Sequence, residues 1–247
     1  VPYFSYAKGD KKDEPRVYIR SRVCEDCIES AGADRVITID LHAPQVQGFF
    51  KIPVDHLYAK SLLCEYIRRQ GLVDDNLVVV SPDAGSAKRA REYATELGCP
   101  VAIGDKMRSG HDENAKLLEI IGEVAGKNCL VIDDFSISGG TLVDVSRGLK
   151  EKGANHVFAA LSHNVLSSKG IQKIEESPLE FVVSTDTLEC PDAGLSSKIR
   201  FISAAPMFAQ AVKIVHDRTP MSSLFEQRVN KRMMDMSFMD QPTLLKD

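Results

Sequence analysis

Short runs of apolar, β-branched residues recur along the chain, and turn residues such as Gly, Pro and Asp bound each run. Such runs are typical of buried β-strands. They predict strands over residues 36–40, 77–81, 101–105, 130–134, 156–162, 181–187 and 199–204.

Segments with helical spacing lie between these runs, because their apolar residues recur at i, i+3 and i+4. They predict helices over residues 87–97, 115–124, 141–152 and 207–216. Strands that alternate with helices predict parallel sheets covered by helices on both faces. In such sheets, ligands bind where the loops leave the carboxyl ends of the strands.

Charged or imidazole side chains stand at four of these strand ends. They are Asp40 with His42, Asp83, Asp105 with Lys106 and Arg108, and Asp133 with Asp134. Because parallel strands share one carboxyl edge, these side chains predict a single polar site assembled from strand tips.

Composition limits the ligands that such a site attracts. The chain has 247 residues, 43% of them hydrophobic, which is enough for one large or two modest domains. Its net charge is only −4, with both signs interspersed, so we expect neither nucleic acid nor membrane as a partner. No apolar run approaches the ~20 residues of a membrane span, and the first residues lack a secretion signal. We therefore expect a cytoplasmic protein that holds anionic ligands at a local site.

The cysteines and the last residues add little chemistry. Cys24 and Cys27 form the one close pair of cysteines, and they lie in a segment with a helical pattern. No second pair or nearby histidines complete a zinc site, so we expect reduced thiols. Residues 226–247 depart from the α/β rhythm and predict either a helix packed on a neighbour or a loose tail.

The segment CLVIDDFSISGGTLVD, residues 129–144, places two carboxylates ahead of a Gly-rich turn and a helix. Backbone N–H groups of such a turn and of a helix N-terminus form a nest for a phosphate, to which hydroxyl groups can donate further hydrogen bonds. The carboxylates are placed to accept hydrogen bonds from vicinal sugar hydroxyls. An acidic turn before a helix is the alternative. The segment predicts a ribose 5-phosphate site made of Asp133, Asp134, Ser138, Gly139, Gly140 and Thr141.

This segment resembles the PRPP motif that type I phosphoribosyltransferases share with PRPP synthetases. The run DLHAPQVQGFFKIPVDHLYA, residues 40–59, resembles a PRPP synthetase signature that phosphoribosyltransferases lack. Similarity extends to about residue 225 through VPYFSYAKGDKKD, SPDAGSAKRA, LSHNVLS and STDTLEC. The chain therefore resembles the ribose-phosphate diphosphokinase (PRPP synthetase) family, with an N-terminal portion of the family's chain missing.

The resemblance implies an α/β fold of two phosphoribosyltransferase-type domains, with parallel-type sheets flanked by helices and the first domain incomplete. It assigns residues 1–58 to the remainder of the N-terminal domain and 59–225 to the C-terminal phosphoribosyltransferase-like domain. Residues 226–247 stay unassigned. It also implies a homo-oligomer, a hexamer built from dimers.

The activity that the resemblance implies is transfer of pyrophosphate from MgATP to the C1 hydroxyl of ribose 5-phosphate, giving PRPP and AMP. Lys106 and Arg108 match the family's catalytic cations, on a flexible loop after the third strand. Their i, i+2 spacing lets both project from one face of extended backbone toward phosphates. The polar residues 109–116 suit a mobile lid, and a solvated basic turn is the alternative reading of the cations.

The same resemblance places ATP and its metal. It implies ATP binding by Lys8, Gly9, Asp10 and His42, and a Mg²⁺ cofactor held by His42, Asp83, Asp40 and Asp55.

Several residues depart from the family's pattern. Lys8 and Gly9 replace an Arg-Gln pair, Lys51 stands where an acidic residue is frequent, and Ile137 replaces a carboxylate. These departures favour an alternative, a non-catalytic regulatory subunit associated with PRPP synthetase, whereas the catalytic cations and the acidic pair favour an enzyme. A phosphoribosyltransferase that couples PRPP to a base is a third hypothesis, which rests on the shared loop alone.

Overall fold

The computed structural model describes residues 1–12, 15–108, 116–225 and 227–238. Within these ranges the strands are β1 (Val36–Ile39), β2 (Val54–Leu57), β3 (Leu77–Ser81), β4 (Val101–Arg108), β5 (Lys116–Ile121), β6 (Asn128–Ser136), β7 (His156–Asn164), β8 (Val182–Thr185) and β9 (Ile199–Ile202). The α-helices are α1 (Arg20–Ser30), α2 (Lys60–Arg69), α3 (Ala87–Leu97), α4 (Gly140–Glu151), α5 (Ser168–Glu175), α6 (Ala205–His216) and α7 (Gln227–Ser237). Short 3₁₀ helices cover Pro44–Phe49, Pro191–Leu195 and Met221–Phe225.

The chain forms two compact units. Unit 1 contains Val1–Ala59 and Ser203–Met239, and unit 2 is built on Lys60–Ile202. The organisation predicted from sequence placed residues 59–225 in one domain, whereas residues 203–225 lie in unit 1. Within unit 1, α6 packs against α7 and against the 3₁₀ helix Met221–Phe225.

Unit 2 contains a seven-stranded sheet in the order β5-β4-β3-β6-β7-β8-β9. All neighbouring strands are parallel except β4 and β5, which are antiparallel. All of β3 and most of β6 and β7 are buried, because their apolar runs are covered on both faces. The predicted parallel α/β architecture is therefore confirmed.

One predicted element of unit 2 is wrong. Residues 115–124 were expected to form a helix, but Lys116–Ile121 form β5, paired from Ile103↔Ile121 to Arg108↔Lys116. The run KLLEII suits a helix or a strand equally well, and pairing with β4 decides the outcome. β4 consequently extends to Arg108, so Lys106 and Arg108 lie on a strand instead of a loop. Their side chains lie outside the described residues, as do residues 109–115 of the predicted lid 109–116, whose last residue, Lys116, begins β5.

Unit 1 contains a two-stranded parallel sheet of β1 and β2, in register from Val36↔Val54 to Ile39↔Leu57. A small apolar cluster that includes Phe4, Leu41 and Val46 packs beside it, with the Phe4 and Phe50 rings edge to face at 5.8 Å. The segment around Cys24 and Cys27 forms α1, as its pattern predicts, and all six cysteines are free thiols.

The residues after 226 that the structure describes form α7. Of the two alternatives, helix or loose tail, the helix is therefore correct for these residues, and Met233, Met234 and Phe238 are buried. In the described part of the chain, no helix has both the length and the apolar character needed to span a membrane.

Candidate active site

Two adjacent carboxylates lie near the end of β6, at the carboxyl edge of the sheet. β6 is longer than predicted, so Asp133 and Asp134 belong to the strand itself. Asp133 Oδ1 accepts a hydrogen bond from the N–H of Asp134 (2.9 Å), and Asp134 Oδ1 accepts one from the N–H of Phe135 (3.0 Å). The Asp134 side chain is only 4% exposed and that of Asp133 is 16% exposed. The pair is thus largely removed from water.

A guanidinium on α3 faces this acidic pair. Arg89 Nη1 lies 3.7 Å from Asp133 Oδ1 and 3.3 Å from Asp134 Oδ1. Burial and the neighbouring charge of Asp134 raise the pKa of Asp133, whereas Arg89 acts in the opposite direction. The pair can therefore hold a proton near neutral pH. Arg89 lies in the segment SPDAGSAKRA, but no sequence pattern predicts a role for it.

The predicted phosphate loop, residues 137–141, comes directly after the end of β6 at Ser136. Ile137 and Ser138 are exposed, Gly139 has φ +69°, and α4 begins at Gly140, one residue earlier than predicted. Thr141 is the second residue of α4. Gly139 provides no side-chain cap to α4, and the N–H of Gly140 makes only a long contact, 3.4 Å, to Ser138 Oγ, so the first turn of α4 can offer N–H groups to an anion.

Helix α5 supports the loop from the other side. The N–H of Ser167 donates to the carbonyl of Ile137 at 3.0 Å. A Cβ placed on Gly139 would lie 2.9 Å from the carbonyl oxygen of Gly170, and a Cβ on Gly170 would lie 3.0 Å from that of Ile137. The two backbones approach this closely because both contact positions are glycine.

The ends of β7 and β8 add polar groups beside the loop, since Ser136 of β6 pairs with Asn164 of β7. His163 Nδ1 and Thr187 Oγ1 are 2.7 Å apart. Asn164 is 1% exposed, and its Oδ1 accepts from the N–H of Leu166 (3.1 Å). Its Nδ2 is buried with no partner among the described residues. These residues lie in segments that carried the resemblance, but sequence reasoning assigned them no function.

Asp83 and Asp105 lie at the same edge of the sheet. Asp83 follows β3, the neighbour of β6, and is exposed. Its Oδ1 accepts from the N–H of Ser86 at 2.8 Å, which holds the carboxylate at the start of α3. Asp105 is half-buried within β4. The structure therefore brings the Asp83, Asp105 and Asp133–Asp134 strand ends to one edge, as the parallel topology predicts.

The remaining candidates belong to unit 1. Lys8 is exposed, Gly9 is buried, and Asp10 accepts a hydrogen bond from Gln45 Nε2 at 3.3 Å. His42 is exposed, two residues after Asp40. The segment Lys8 to Asp10 therefore contacts the 3₁₀ helix Pro44–Phe49 that follows His42.

The predicted metal ligands do not form a ready-made metal site. Asp55 accepts two hydrogen bonds from Arg35, at 2.5 and 2.9 Å, so a metal bound there would have to compete with this ion pair. Asp40 Oδ2 accepts from the N–H of Ala59 at 3.0 Å. Within the part of the chain that the structure describes, no three His, Cys, Asp or Glu side chains are grouped to hold a metal.

Similarity to characterised proteins is extensive. The chain is 43% identical over 227 residues to ribose-phosphate pyrophosphokinase 1 of Streptococcus agalactiae, a match that covers 92% of this chain and 70% of that protein. It is 44% identical over 226 residues to the ribose-phosphate pyrophosphokinase of Listeria ivanovii, with the same coverage. The chain belongs to the ribose-phosphate pyrophosphokinase family.

A solved structure and a family model agree with this membership. The phosphoribosylpyrophosphate synthetase from Mycobacterium smegmatis superposes with a TM-score of 0.81 at 37% identity, covering 88% of this chain and 70% of that one. The model described as a phosphoribosyl synthetase-associated domain matches residues 105–226. The predicted family and fold class are confirmed. Because ribose-phosphate pyrophosphokinases match 92% of the chain, the phosphoribosyltransferase hypothesis, which needs only the loop, is disfavoured.

Proposed function

We propose that this chain catalyses the transfer of pyrophosphate from MgATP to the C1 hydroxyl of ribose 5-phosphate, giving PRPP and AMP. The observation that carries the proposal is the arrangement at the end of β6. There a largely buried acidic pair stands directly before a loop and the N-terminus of α4, where Gly139 gives no side-chain cap and the N–H of Gly140 makes only a long contact to Ser138 Oγ. A phosphomonoester on the loop would place its sugar hydroxyls toward carboxylate acceptors.

In the reaction, the C1 hydroxyl oxygen attacks the β-phosphorus of ATP. A bond forms between that oxygen and the β-phosphorus, the bond from the β-phosphorus to the α,β-bridging oxygen breaks, AMP leaves, and the hydroxyl proton is released. Such a transfer depends on positioning and on cations that offset negative charge developing on the phosphoryl oxygens. We assign this role to Lys106 and Arg108, which occupy alternate positions of β4.

The ribose 5-phosphate site is assigned to Asp133, Asp134 and the phosphate loop. Arg89 is added to it as a positioning residue, because its guanidinium contacts both carboxylates. Asn164 offers a buried donor at the adjacent strand end.

The ATP site is assigned to Lys8, Gly9, Asp10 and His42. Magnesium is treated as part of the MgATP substrate, to which His42, Asp40 and Asp83 could each add a ligand. Asp55 is withdrawn from this set because Arg35 occupies its carboxylate. We also propose that the chain acts as a homo-oligomer built from dimers.

A non-catalytic regulatory subunit is the second candidate function. The observation that favours it is Ile137, a residue of the phosphate loop that is 52% exposed. An exposed apolar side chain there supplies no carboxylate where the family pattern has one, so the chain could bind sugar phosphate without completing the reaction.

The deciding experiment measures AMP and PRPP formation by the full chain from MgATP and ribose 5-phosphate. Lys106→Ala is expected to lower the rate about 10²- to 10³-fold. Lys173→Ala, which removes an exposed lysine from α5, is the matched control and should leave the rate unchanged. If the wild-type chain binds ribose 5-phosphate but forms no PRPP, the regulatory function replaces the catalytic one.

A further inference from the structure

Gly9 is buried although it lies in an exposed segment, between exposed Lys8 and half-buried Asp10. The side chain of Arg20, the first residue of α1, covers it. A Cβ added to Gly9 would lie 2.7 Å from Arg20 Cβ and 2.9 Å from Arg20 Nε. Arg20 therefore fills the space that a side chain at position 9 would need.

Backbone contacts fix this arrangement. The carbonyl of Gly9 accepts hydrogen bonds from the N–H of Ser21 (3.2 Å) and from its Oγ (3.1 Å). The N–H of Gly9 donates to the carbonyl of Tyr6 at 2.8 Å, which closes a turn. The position of Arg20 relative to Lys8 and Asp10 is therefore set by the docking of this turn on α1.

The guanidinium of Arg20 has no polar partner among the residues that the structure describes. Arg20 is exposed, and no ion pair or hydrogen bond joins its side chain to another described residue. Two nearby arginines differ, since Arg22 pairs with Asp26 and Arg35 pairs with Asp55. The first turn of α1 also contains no acidic residue, so a cation there opposes the helix dipole without compensation. The contacts of Arg20 within the described residues are therefore packing contacts, and none of them accounts for a positive charge at this position.

We propose that Arg20 is a nucleotide-binding residue whose guanidinium contacts the phosphates of ATP beside Lys8 and Asp10. This inference rests on the proposed ATP site. A guanidinium offers two parallel N–H donors to phosphate oxygens, which the ammonium group of Lys8 lacks. Arg20 occupies the volume next to position 9. Because Gly9 has no side chain, it leaves room for the guanidinium of Arg20 in the proposed ATP site. Arg20 restores a guanidinium to a segment that departs from the family's Arg-Gln pair.

The test measures MgATP binding to the full chain by calorimetry, together with the KM for ATP and for ribose 5-phosphate. Arg20→Ala is expected to raise the Kd and the KM for ATP about 10- to 100-fold, the range for losing a hydrogen bond to a charged group. The KM for ribose 5-phosphate should change less than about 2-fold, because that site lies on other residues. Arg20→Lys, which keeps the charge but loses the fork, should give an intermediate Kd.

Arg232→Ala is the matched control, because it removes an exposed guanidinium from α7 of the same unit and should leave ATP binding unchanged. Equal ATP affinity in wild type and Arg20→Ala overturns the inference while the proposed function stands. If wild type binds MgATP but forms no PRPP, the catalytic function fails and the binding series still decides the role of Arg20. A wild-type chain that does not bind MgATP overturns both.

Discussion

Arg89 Nη1 on α3 lies 3.3 Å from Oδ1 of Asp134, a carboxylate whose side chain is almost completely buried on β6. The same guanidinium lies 3.7 Å from Asp133. One cation thus faces two carboxylates at the end of the central strand. The stability of this part of the fold and the geometry of the proposed sugar site therefore depend on the same residue.

Arg89→Met should destabilise the chain by about 1–3 kcal/mol at pH 8, because it leaves buried charge without its partner. The loss should be smaller at pH 5, where the raised pKa of Asp133 keeps that group protonated. Urea unfolding at both pH values measures the effect. Arg91→Met, at an exposed position of the same helix, is the control. Equal losses for the two variants would show that the contact with the acidic pair is unimportant.

Asp133→Asn should remove a pH dependence of stability. Burial and the charge of Asp134 raise the pKa of Asp133 to about 7, so the folded chain binds this proton more tightly than the unfolded chain. The resulting stabilisation is complete below about pH 4 and is lost as the pH rises through 7. Between pH 5 and pH 8, wild type should therefore lose more stability than Asp133→Asn.

The quantity to compare is the loss of unfolding free energy between pH 5 and pH 8 in wild type and in Asp133→Asn. Burial also raises the pKa of Glu25 to about 7, but Glu25 is present in both and cancels in the comparison. Parallel stability profiles for wild type and Asp133→Asn would contradict the prediction.

Gly122→Ala should weaken the β4–β5 hairpin. Gly122 has φ +122°, and an added Cβ would lie 2.9 Å from the Cβ of Ala102. Backbone strain and overpacking each cost about 1–3 kcal/mol. Gly126→Ala is the matched control, because Gly126 has φ +69° and open space around it. Denaturant unfolding should show at least about 1 kcal/mol more destabilisation for Gly122→Ala, and PRPP formation should fall because β4 carries Lys106 and Arg108.

Asp55→Asn tests whether the carboxylate of Asp55 has a structural role or binds a metal. Its pairing with Arg35, whose side chain is 42% exposed, should contribute about 0.2–1 kcal/mol to stability. The magnesium concentration needed for half-maximal AMP formation should stay the same, and Arg35→Gln should give a similar loss of stability. A several-fold increase in that magnesium requirement would return Asp55 to the metal site.

Local patterns predicted the centre of unit 2 well. Helix 87–97 and strand 77–81 occur with the predicted bounds. The amphipathic pattern of the first segment favours a helix, and the β-branched apolar run of the second favours a strand. The run KLLEII in β5 is compatible with a helix and with a strand, and only pairing with β4 decides between them. The half-buried strand β2, VDHL, lacks a pattern that would separate it from a loop.

The residues of the candidate site divide in the same way, into those that a local pattern predicts and those that only tertiary packing brings together. Asp133, Asp134 and the phosphate loop are contiguous in sequence, so their chemistry could be read from one segment. Arg89 and Arg20 take part through side chains that reach residues of other elements. No spacing rule connects Arg89 to β6 or Arg20 to Gly9, and both contacts depend on tertiary packing.

Unit 1 is assembled from two stretches of chain, with Lys60–Ile202 of unit 2 between them. During synthesis on the ribosome, α6 and α7 of unit 1 emerge only after Lys60–Ile202 of unit 2 have been translated. Lys60–Ile202 form one uninterrupted stretch with its own apolar core, so this part of unit 2 can fold before α6 and α7 of unit 1 have been made. Premature termination near residue 202 would therefore leave a folded unit 2 attached to a unit 1 without α6 and α7, a product that cellular quality control would have to remove.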